Sequence, residues 1–224
     1  MAIQIDTLKS IPYFAGLGDT ELKSIATLMF EKRVDRGEML LLEGEPADEM
    51  YFVAAGVVKI FKTSADGKEQ ILDISRPGAS FADVPVFDGG PAPASAQAMG
   101  PVVVYGIRRN NLETIIKEHP RVALNMIKVL AARVRHLISL VEDLSFKRVI
   151  GRVAKILLEH AGNGAAGEKP RLTQQDMAAM AGTAREVIGR SLKALEEEGA
   201  IRLDRSRIVI INKQALKETM ESPA

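Results

Sequence analysis

The sequence predicts an α+β protein in which a β-rich N-terminal part is followed by helices. Two observations support this prediction: short apolar runs separated by glycines over residues 32–108, and helical spacing of apolar residues from about residue 111 onward. An Asp66-Gly67 turn signal lies between two of the apolar runs, as in a hairpin. Short strands with such turns indicate an antiparallel sandwich or barrel. Residues 6–30, before the first strand, have helical spacing and predict a helix that starts near Asp19 or Thr20.

The composition limits the kind of protein. The chain has 224 residues, enough for one large or two small domains, and a formal net charge of +1. It has no cysteine, which excludes disulfides, iron–sulfur clusters held by thiolates, and Cys-ligated zinc or haem. The sequence has neither a long apolar run nor a signal-peptide pattern, so we expect no membrane partner and a cytoplasmic location.

Residues 83–100 interrupt the strand pattern. The segment contains three prolines and the pair Gly89-Gly90. These residues predict a loop with one helical turn. Loops on a rigid β scaffold often carry binding sites, and we expect this loop to be one.

The helix that follows has apolar residues spaced alternately four and three apart. They are Ala123, Ile127, Leu130, Val134, Leu137, Val141 and Leu144. This heptad spacing is typical of a coiled-coil seam. It fits one long helix packed on its own domain or a dimer, and we favour the dimer. The residues expected at the dimer seam are Leu130, Val134, Leu137 and Val141.

Further along, two short helices are separated by a tight turn at Gly182-Thr183. The first, TQQDMAAMAG, opens at Thr173, and the second is contained in TAREVIGRSLKALEEEG. Thr183 and Glu186 have the spacing of a capping box, and Gly199 stands where a helix C-terminal glycine belongs. The arrangement predicts a helix-turn-helix. The segments IRLD and RIVIIN then predict a short hairpin, or wing.

The second of these helices has one apolar and one cationic face. The apolar face carries Ile188, Leu192 and Leu195, and the other face carries Arg185, Glu186, Gly189, Arg190 and Lys193. A glycine inside a helix costs about 1 kcal/mol relative to alanine, which is understandable where another surface must approach the backbone. Arginine can bind guanine and glutamate can accept from cytosine in the major groove. The face predicts DNA binding, and the alternative is a solvated helix with a Glu186–Arg190 ion pair.

Taken in order, these segments resemble the cyclic-AMP receptor protein / fumarate-nitrate regulator (Crp/Fnr) family of bacterial transcription regulators. The resemblance covers residues 8–212 and is carried by GEMLLLEGEPADEMYFVAAGVVKIF and LTQQDMAAMAGTAREVIGRSLKALEEEGAI. It implies a β-roll sensor, a jelly roll like those that bind cyclic nucleotides, over residues 1–118. It also implies a dimerisation helix over 119–146 and a winged helix-turn-helix over 147–224. The implied partners are a second copy of the chain, double-stranded DNA with two-fold symmetric TGTGA-like half-sites, and RNA polymerase.

The resemblance also assigns roles within the helix-turn-helix. The family motif Arg-Glu-x-x-Gly-Arg matches residues 185–190 position by position. The match implies base contacts from Arg185, Glu186 and Arg190. Phosphate contacts are implied for Thr173 and Gln175. Three further cations are weaker phosphate candidates: Lys193, Arg205 and Arg207.

The sensor departs from the family pattern where a cyclic nucleotide would bind. In the family, a Gly-Glu pair binds the ribose and an Arg-Ser pair binds the cyclic phosphate. The aligned pairs here are Ala82-Asp83 and Ala94-Ser95, and no Lys or Arg occurs in residues 82–103. Burying an anion without a cation is unfavourable by several kcal/mol. We therefore expect that the effector is not cyclic AMP.

The helix positions that hydrogen-bond the base in the family are Leu137 and Ile138 here. This apolar lining suits a hydrophobic or planar effector, or none. Two alternatives stay open: a haem-dependent, nitric-oxide-responsive regulator and a cyclic-nucleotide regulator with a degenerate pocket. The possible nitrogen ligands for haem are His119, His136 and His160.

Functions outside gene regulation have less support in the sequence. We find no nucleophile–base set, metal cluster or phosphate-binding loop, so we do not expect an enzyme. A small-molecule binding module without DNA binding would leave the cationic helix face unexplained.

Overall fold

The computed structural model describes residues 3–160, 172–204 and 207–221. It divides into two compact units, Met1–Lys62 with Leu72–Arg135 and Thr63–Ile71 with His136–Ala224. None of the helices in the described residues combines the length and apolar character that a membrane span needs. The fold is α+β, with the β-roll first, then a long helix, then a winged helix-turn-helix.

The β-roll consists of two antiparallel sheets preceded and followed by helices. The elements are α1 (Ile5–Lys9), a 3₁₀ turn (Pro12–Phe14), α2 (Asp19–Thr27), β1 (Met29–Val34), β2 (Met39–Leu41), β3 (Glu49–Ala55), β4 (Val58–Thr63), β5 (Glu69–Ser75), β6 (Ser80–Phe81), α3 (Asp83–Asp88), β7 (Ser95–Ala98), β8 (Val102–Arg108), α4 (Arg109–Glu118) and α5 (Pro120–Phe146). The strand orders are β1-β8-β3-β6 and β2-β7-β4-β5.

Strand β3 lies inside its sheet, between β8 and β6, and is buried on both faces because a core packs against each of them. Side chains of a strand alternate between faces. Accordingly, Met50 and Phe52 join the core under the helices, whereas Tyr51 and Val53 join the core of the β-roll. The helical core continues onto α5 through Val122.

The structure corrects three expectations for this part. The helix expected to start near Asp19 is confirmed as α2, but the helical spacing from residue 6 is not one element, because α1 and the turn at Pro12–Phe14 come before it. Proline lacks the donor that a continuous helix would need there. The first strand starts at Met29, earlier than residue 32. The loop expected over residues 83–100 has its helical turn but also contains β7, which pairs with β2 and β4. Strand β7 is Ser-Ala-Gln-Ala, so it has no large apolar residue to give a strand signal.

Gly106 in β8 lies opposite Phe30 in β1, and a Cβ atom on it would come within 2.2 Å of Cζ of Phe30. We expect Gly106→Ala to destabilise the protein by about 1–3 kcal/mol because the ring must leave its packed position. Thermal melting followed by circular dichroism measures the loss. Gly100→Ala is the control, because a Cβ there meets nothing within 4 Å. Equal melting temperatures for the two variants would contradict this packing.

The second unit contains the helix-turn-helix and its wing. Its elements are α6 (Val149–His160), α7 (Gln174–Ala181), α8 (Arg185–Glu197), β9 (Ile201–Asp204), β10 (Arg207–Ile210) and α9 (Lys213–Glu221). The apolar face predicted for α8 is confirmed, since Ile188, Leu192 and Leu195 are buried. Helix α9 was not predicted, and it packs Leu216 into the same core.

The ends of α7 and α8 partly match the expectations. Thr173 caps α7 and Gly182 has φ of 62°, so the tight turn is confirmed. The capping box expected from Thr183 and Glu186 is wrong. Helix α8 begins at Arg185, because the Thr183 amide donates to the Ala178 carbonyl and so still belongs to the end of α7. Arg205 and the 163–167 segment lie outside the described residues.

Candidate nucleic-acid interface and sensor site

The polar face of α8 is exposed. Arg185, Glu186 and Arg190 are all exposed. Within the residues that the structure describes, none of these three side chains makes a hydrogen bond or an ion pair. The Glu186–Arg190 pair of the alternative interpretation is therefore not formed. The donors and the acceptor on this face remain available to a ligand outside the chain.

Gly189 lies at the centre of that face. A Cβ atom on Gly189 would meet nothing within 4 Å, so packing inside the chain does not require a glycine. The cost of about 1 kcal/mol for a glycine in a helix thus has no internal compensation. Lys193, one turn further on, is also exposed and lies 3.9 Å from Glu197, a distance typical of a weak surface pair.

The two candidate phosphate contacts at the start of α7, Thr173 and Gln175, differ in whether their side chains are already engaged. The Thr173 hydroxyl donates to Oδ2 of Asp176 at 2.7 Å and accepts from the Asp176 amide at 3.1 Å, so it already serves as the helix cap. Gln175 is exposed in the first turn. Gln175 is therefore the better isolated probe of a contact with a phosphate group.

Two residues that the sequence did not single out, Arg152 and Asp143, connect α6 to neighbouring parts of the second unit. The Arg152 guanidinium in α6 donates to the carbonyl of Ala181 at 2.8 Å and to that of Lys147 at 2.6 Å. Asp143 accepts from Lys147 at 2.7 Å and from Lys155. Burial alone would raise the pKa of Asp143, but the two lysines hold that pKa below its usual value. The pair with Lys155 joins the end of α5 to α6 within the second unit.

In the sensor, the carboxylate of Asp83 is enclosed, with only 2% of the residue exposed. Oδ2 accepts from the Tyr13 hydroxyl at 2.8 Å and from the Ser80 hydroxyl at 3.2 Å. Nη1 of Arg133 in α5 lies 2.6 Å from Oδ1 and 2.7 Å from Oδ2. Asp83 is thus paired inside its own unit, a finding that the sequence did not predict.

The protonation states in this cluster follow from burial and from the Asp83 charge. Burial raises the pKa of the Tyr13 phenol, and the Asp83 carboxylate raises it further, so the phenol stays a neutral donor. Burial alone would lower the pKa of Arg133, but the attraction of Asp83 outweighs it and raises that pKa. The cluster therefore contains one stable cation and two hydroxyl donors around Asp83.

Ala82 precedes α3 in a left-handed backbone conformation, with φ of 58°. It is the one residue other than glycine with positive φ in the described part of the chain. A Cβ atom makes this conformation unfavourable, and such positions often lie at functional sites. The strained residue places Asp83 at the first position of α3.

The residues expected to face the phosphate, Ala94 and Ser95, also have contacts inside the chain. Ala94 and Ser95 are buried, and the Ser95 hydroxyl accepts from the Glu43 amide at 3.0 Å. Lys62 pairs with Glu43 at 2.7 Å and donates to the Pro93 carbonyl at 3.2 Å. A cation therefore does reach this loop, from β4, although none occurs in residues 82–103. The loop sequence does not reveal this cation, because Lys62 lies 31 residues before Pro93.

The two apolar residues expected at the base end, Leu137 and Ile138, belong to the second unit and are 40% and 62% exposed. The histidines give no support to the haem alternative. His119 pairs with Glu21 at 3.4 Å, Nδ1 of His160 lies 3.2 Å from the carbonyl of Ile156, and His136 is exposed on α5. No cluster of potential metal ligands occurs among the described residues.

Comparison with known proteins agrees with this architecture. A Cyclic nucleotide-binding domain model matches residues 31–119, and a Crp-like helix-turn-helix domain model matches residues 151–219. The CRP-like cAMP-activated global transcriptional regulator of Mycobacterium tuberculosis is 31% identical over 209 residues, covering 91% of this chain and 93% of the relative. The Cyclic AMP receptor protein of Thermus thermophilus is 32% identical over 212 residues, covering 94% and 97%.

Among solved structures, FixK2 from Bradyrhizobium japonicum superposes with a TM-score of 0.75 at 27% identity, covering 88% of this chain and 99% of that one. The two relatives match this chain over nearly their whole length, through both the sensor and the helix-turn-helix. The chain therefore belongs to the Crp/Fnr family and is a DNA-binding transcription regulator rather than an enzyme.

Proposed function

We propose that the protein is a homodimeric, sequence-specific regulator that reads a two-fold symmetric DNA site through α8, under the control of a sensor that does not respond to cyclic AMP. The observation that carries the proposal is the exposed polar face of α8, where Arg185, Glu186 and Arg190 have no partner within the described residues. The bases are contacted by Arg185, Glu186 and Arg190. Gly189 leaves room for the DNA to approach the helix.

The contacts to the DNA backbone come from the start of α7 and from the rest of the α8 face. Gln175 and the free amides of the first turn of α7 face a phosphate group, as helix N-termini do in anion sites. Thr173 supports this contact mainly by capping the helix. Lys193 and Arg207 add charge to the DNA-facing surface.

The homodimer is supported by the exposed side of α5. One side of this helix packs on the β-roll through Val122 and Met126. On the other side, Ile127, Val134 and Val141 are 62%, 55% and 63% exposed. An apolar row of heptad spacing that is open to water is typical of a coiled-coil interface. Two copies joined there present two α8 helices to one DNA duplex, as two-fold symmetric sites require.

The effector is proposed not to be cyclic AMP. Asp83 is already paired with Arg133, and Ala94 stands where a cation would face the phosphate. Lys62, the cation that reaches this loop, is itself paired with Glu43. Cyclic AMP remains the second candidate, on one observation: two relatives are named as a cAMP-activated regulator and a Cyclic AMP receptor protein. The haem alternative has no comparable observation.

The test is fluorescence anisotropy with the full chain and duplexes that carry two TGTGA-like half-sites about 34 Å apart, one half-site, or none. We expect the two-fold site to bind at least about tenfold more tightly than the single half-site, because only the former engages both α8 helices. Cyclic AMP and cyclic GMP, up to about millimolar concentration, should change nothing, and calorimetric titration of either should be flat.

The outcomes separate the two parts of the proposal. Equal affinity for all three duplexes, and for a library with randomised half-sites, contradicts sequence-specific recognition. A micromolar dissociation constant for cyclic AMP, together with tighter DNA binding in its presence, selects the second candidate.

A further inference from the structure

Both oxygens of Asp83 are already contacted from inside the chain. Its two oxygens receive contacts from Tyr13, Ser80 and Arg133 at 2.6–3.2 Å. An ionised carboxylate has about four lone-pair sites. Oδ2 is contacted by all three residues, whereas Oδ1 is contacted by Arg133 alone. A ligand that needs both oxygens of Asp83 must therefore displace Arg133.

The guanidinium of Arg133 contacts Asp83 and Ser80 as a bound ligand would. Besides its contacts with Asp83, its second terminal nitrogen, Nη2, donates to the Ser80 carbonyl at 2.8 Å and approaches the Ser80 hydroxyl at 3.3 Å. A planar guanidinium with parallel donors is matched to such a row of acceptors, whereas an ammonium group is not. The backbone next to the pocket is strained at Ala82, as in many ligand clamps.

We propose that Tyr13, Ser80 and Asp83 form a guanidinium-binding site, which Arg133 of the same chain occupies as a built-in ligand in place of a diffusible effector. The filled site joins the start of α3 to α5, the helix that continues from the first unit into the second. DNA binding depends on this connection, and in this respect the inference rests on the proposed function.

A bound ligand couples two segments of a protein only if it binds one arrangement of them better than the other. Here the ligand is tethered, so its effective concentration at the pocket is high and no added molecule is needed. An empty pocket leaves a buried, unpaired carboxylate, which is strongly unfavourable. We therefore expect α3 and α5 to be connected through Arg133 without any added effector.

The experiment is chemical rescue of Arg133→Ala in the full chain. We expect this variant to lose at least about tenfold in affinity for the two-fold duplex. Ethylguanidinium at about 10 mM should restore most of the loss, because it supplies the missing planar cation to the pocket. N-ethylurea, which is planar but neutral, and ethylammonium, which is charged but not planar, should not. Sodium chloride of equal ionic strength corrects for salt.

Two variants serve as controls. Arg135→Ala removes an exposed arginine of the same helix and should bind DNA as the unchanged protein does. Asp83→Asn/Arg133→Ala lacks the carboxylate, and ethylguanidinium should not restore its DNA binding. Rescue that persists in this double variant, or that ethylammonium gives equally well, overturns the guanidinium site.

Hydrogen exchange without DNA provides a second readout. In Arg133→Ala, the amides of α3 and of residues 122–135 should exchange faster, and ethylguanidinium should slow them again. Unchanged exchange overturns the proposed connection, whatever the DNA result. Altered exchange with unchanged DNA affinity overturns its regulatory role. Failure of the unchanged protein to bind any duplex overturns the proposed function, while the exchange rescue still decides whether the guanidinium site exists.

Discussion

Replacement of Arg190 or Arg185 by alanine is expected to weaken binding of the cognate duplex by about 1–3 kcal/mol each, and to relax base preference at one position per half-site. Both side chains are exposed on α8 and have no partner within the described residues. Their removal therefore leaves the fold unchanged, and the loss is confined to the complex.

The measurement is binding to a duplex library with randomised half-sites, which gives an affinity for each base at each position. Gln175→Ala is the comparison, because a lost phosphate contact weakens all sequences alike. Arg190→Lys separates charge from geometry. It keeps the cation but loses the paired hydrogen bonds to guanine, so base preference should relax while the salt dependence stays. Identical sequence profiles for Arg190→Ala and Gln175→Ala would contradict direct base readout.

The division of α8 into an apolar and a polar face was predictable because all of its information is local. Helical spacing alone assigns Ile188 and Leu192 to the core and Arg185 and Arg190 to the opposite side, and the burial of the first two confirms this division. The start of the helix was less predictable. Thr183 has the right spacing for a cap, but its amide is taken by the preceding helix, a competition that spacing does not reveal.

The cluster around Asp83 could not be predicted in the same way, because its contacts connect segments that are distant in the sequence. Tyr13 is 70 residues and Arg133 is 50 residues from Asp83 in the sequence. One signal was nevertheless present. Val122, Met126, Val129 and Arg133 follow each other at steps of four, three and four, so an arginine ends an apolar row that packs on the β-roll. A charge at such a position indicates a buried acidic partner.

Val141→Asp is expected to convert the dimer into monomers and to reduce binding of the two-fold duplex to the level of a single half-site. In the single chain, the Val141 side chain is 63% exposed on the apolar side of α5, so aspartate there causes no loss inside the protomer. In the dimer, symmetry places two carboxylates in one interface, and their desolvation and repulsion cost several kcal/mol.

The control is Ala132→Asp on the same helix. Ala132 is nine residues before Val141, which corresponds to two and a half turns, so the two positions lie on opposite sides of α5. Ala132 is also exposed, and its variant should stay dimeric. Sedimentation velocity at micromolar concentration distinguishes the species, and thermal melting shows whether the monomeric variant remains folded. A monomer for the unchanged protein would end the dimer proposal. A dimer that survives Val141→Asp would place the interface on another surface of the protein.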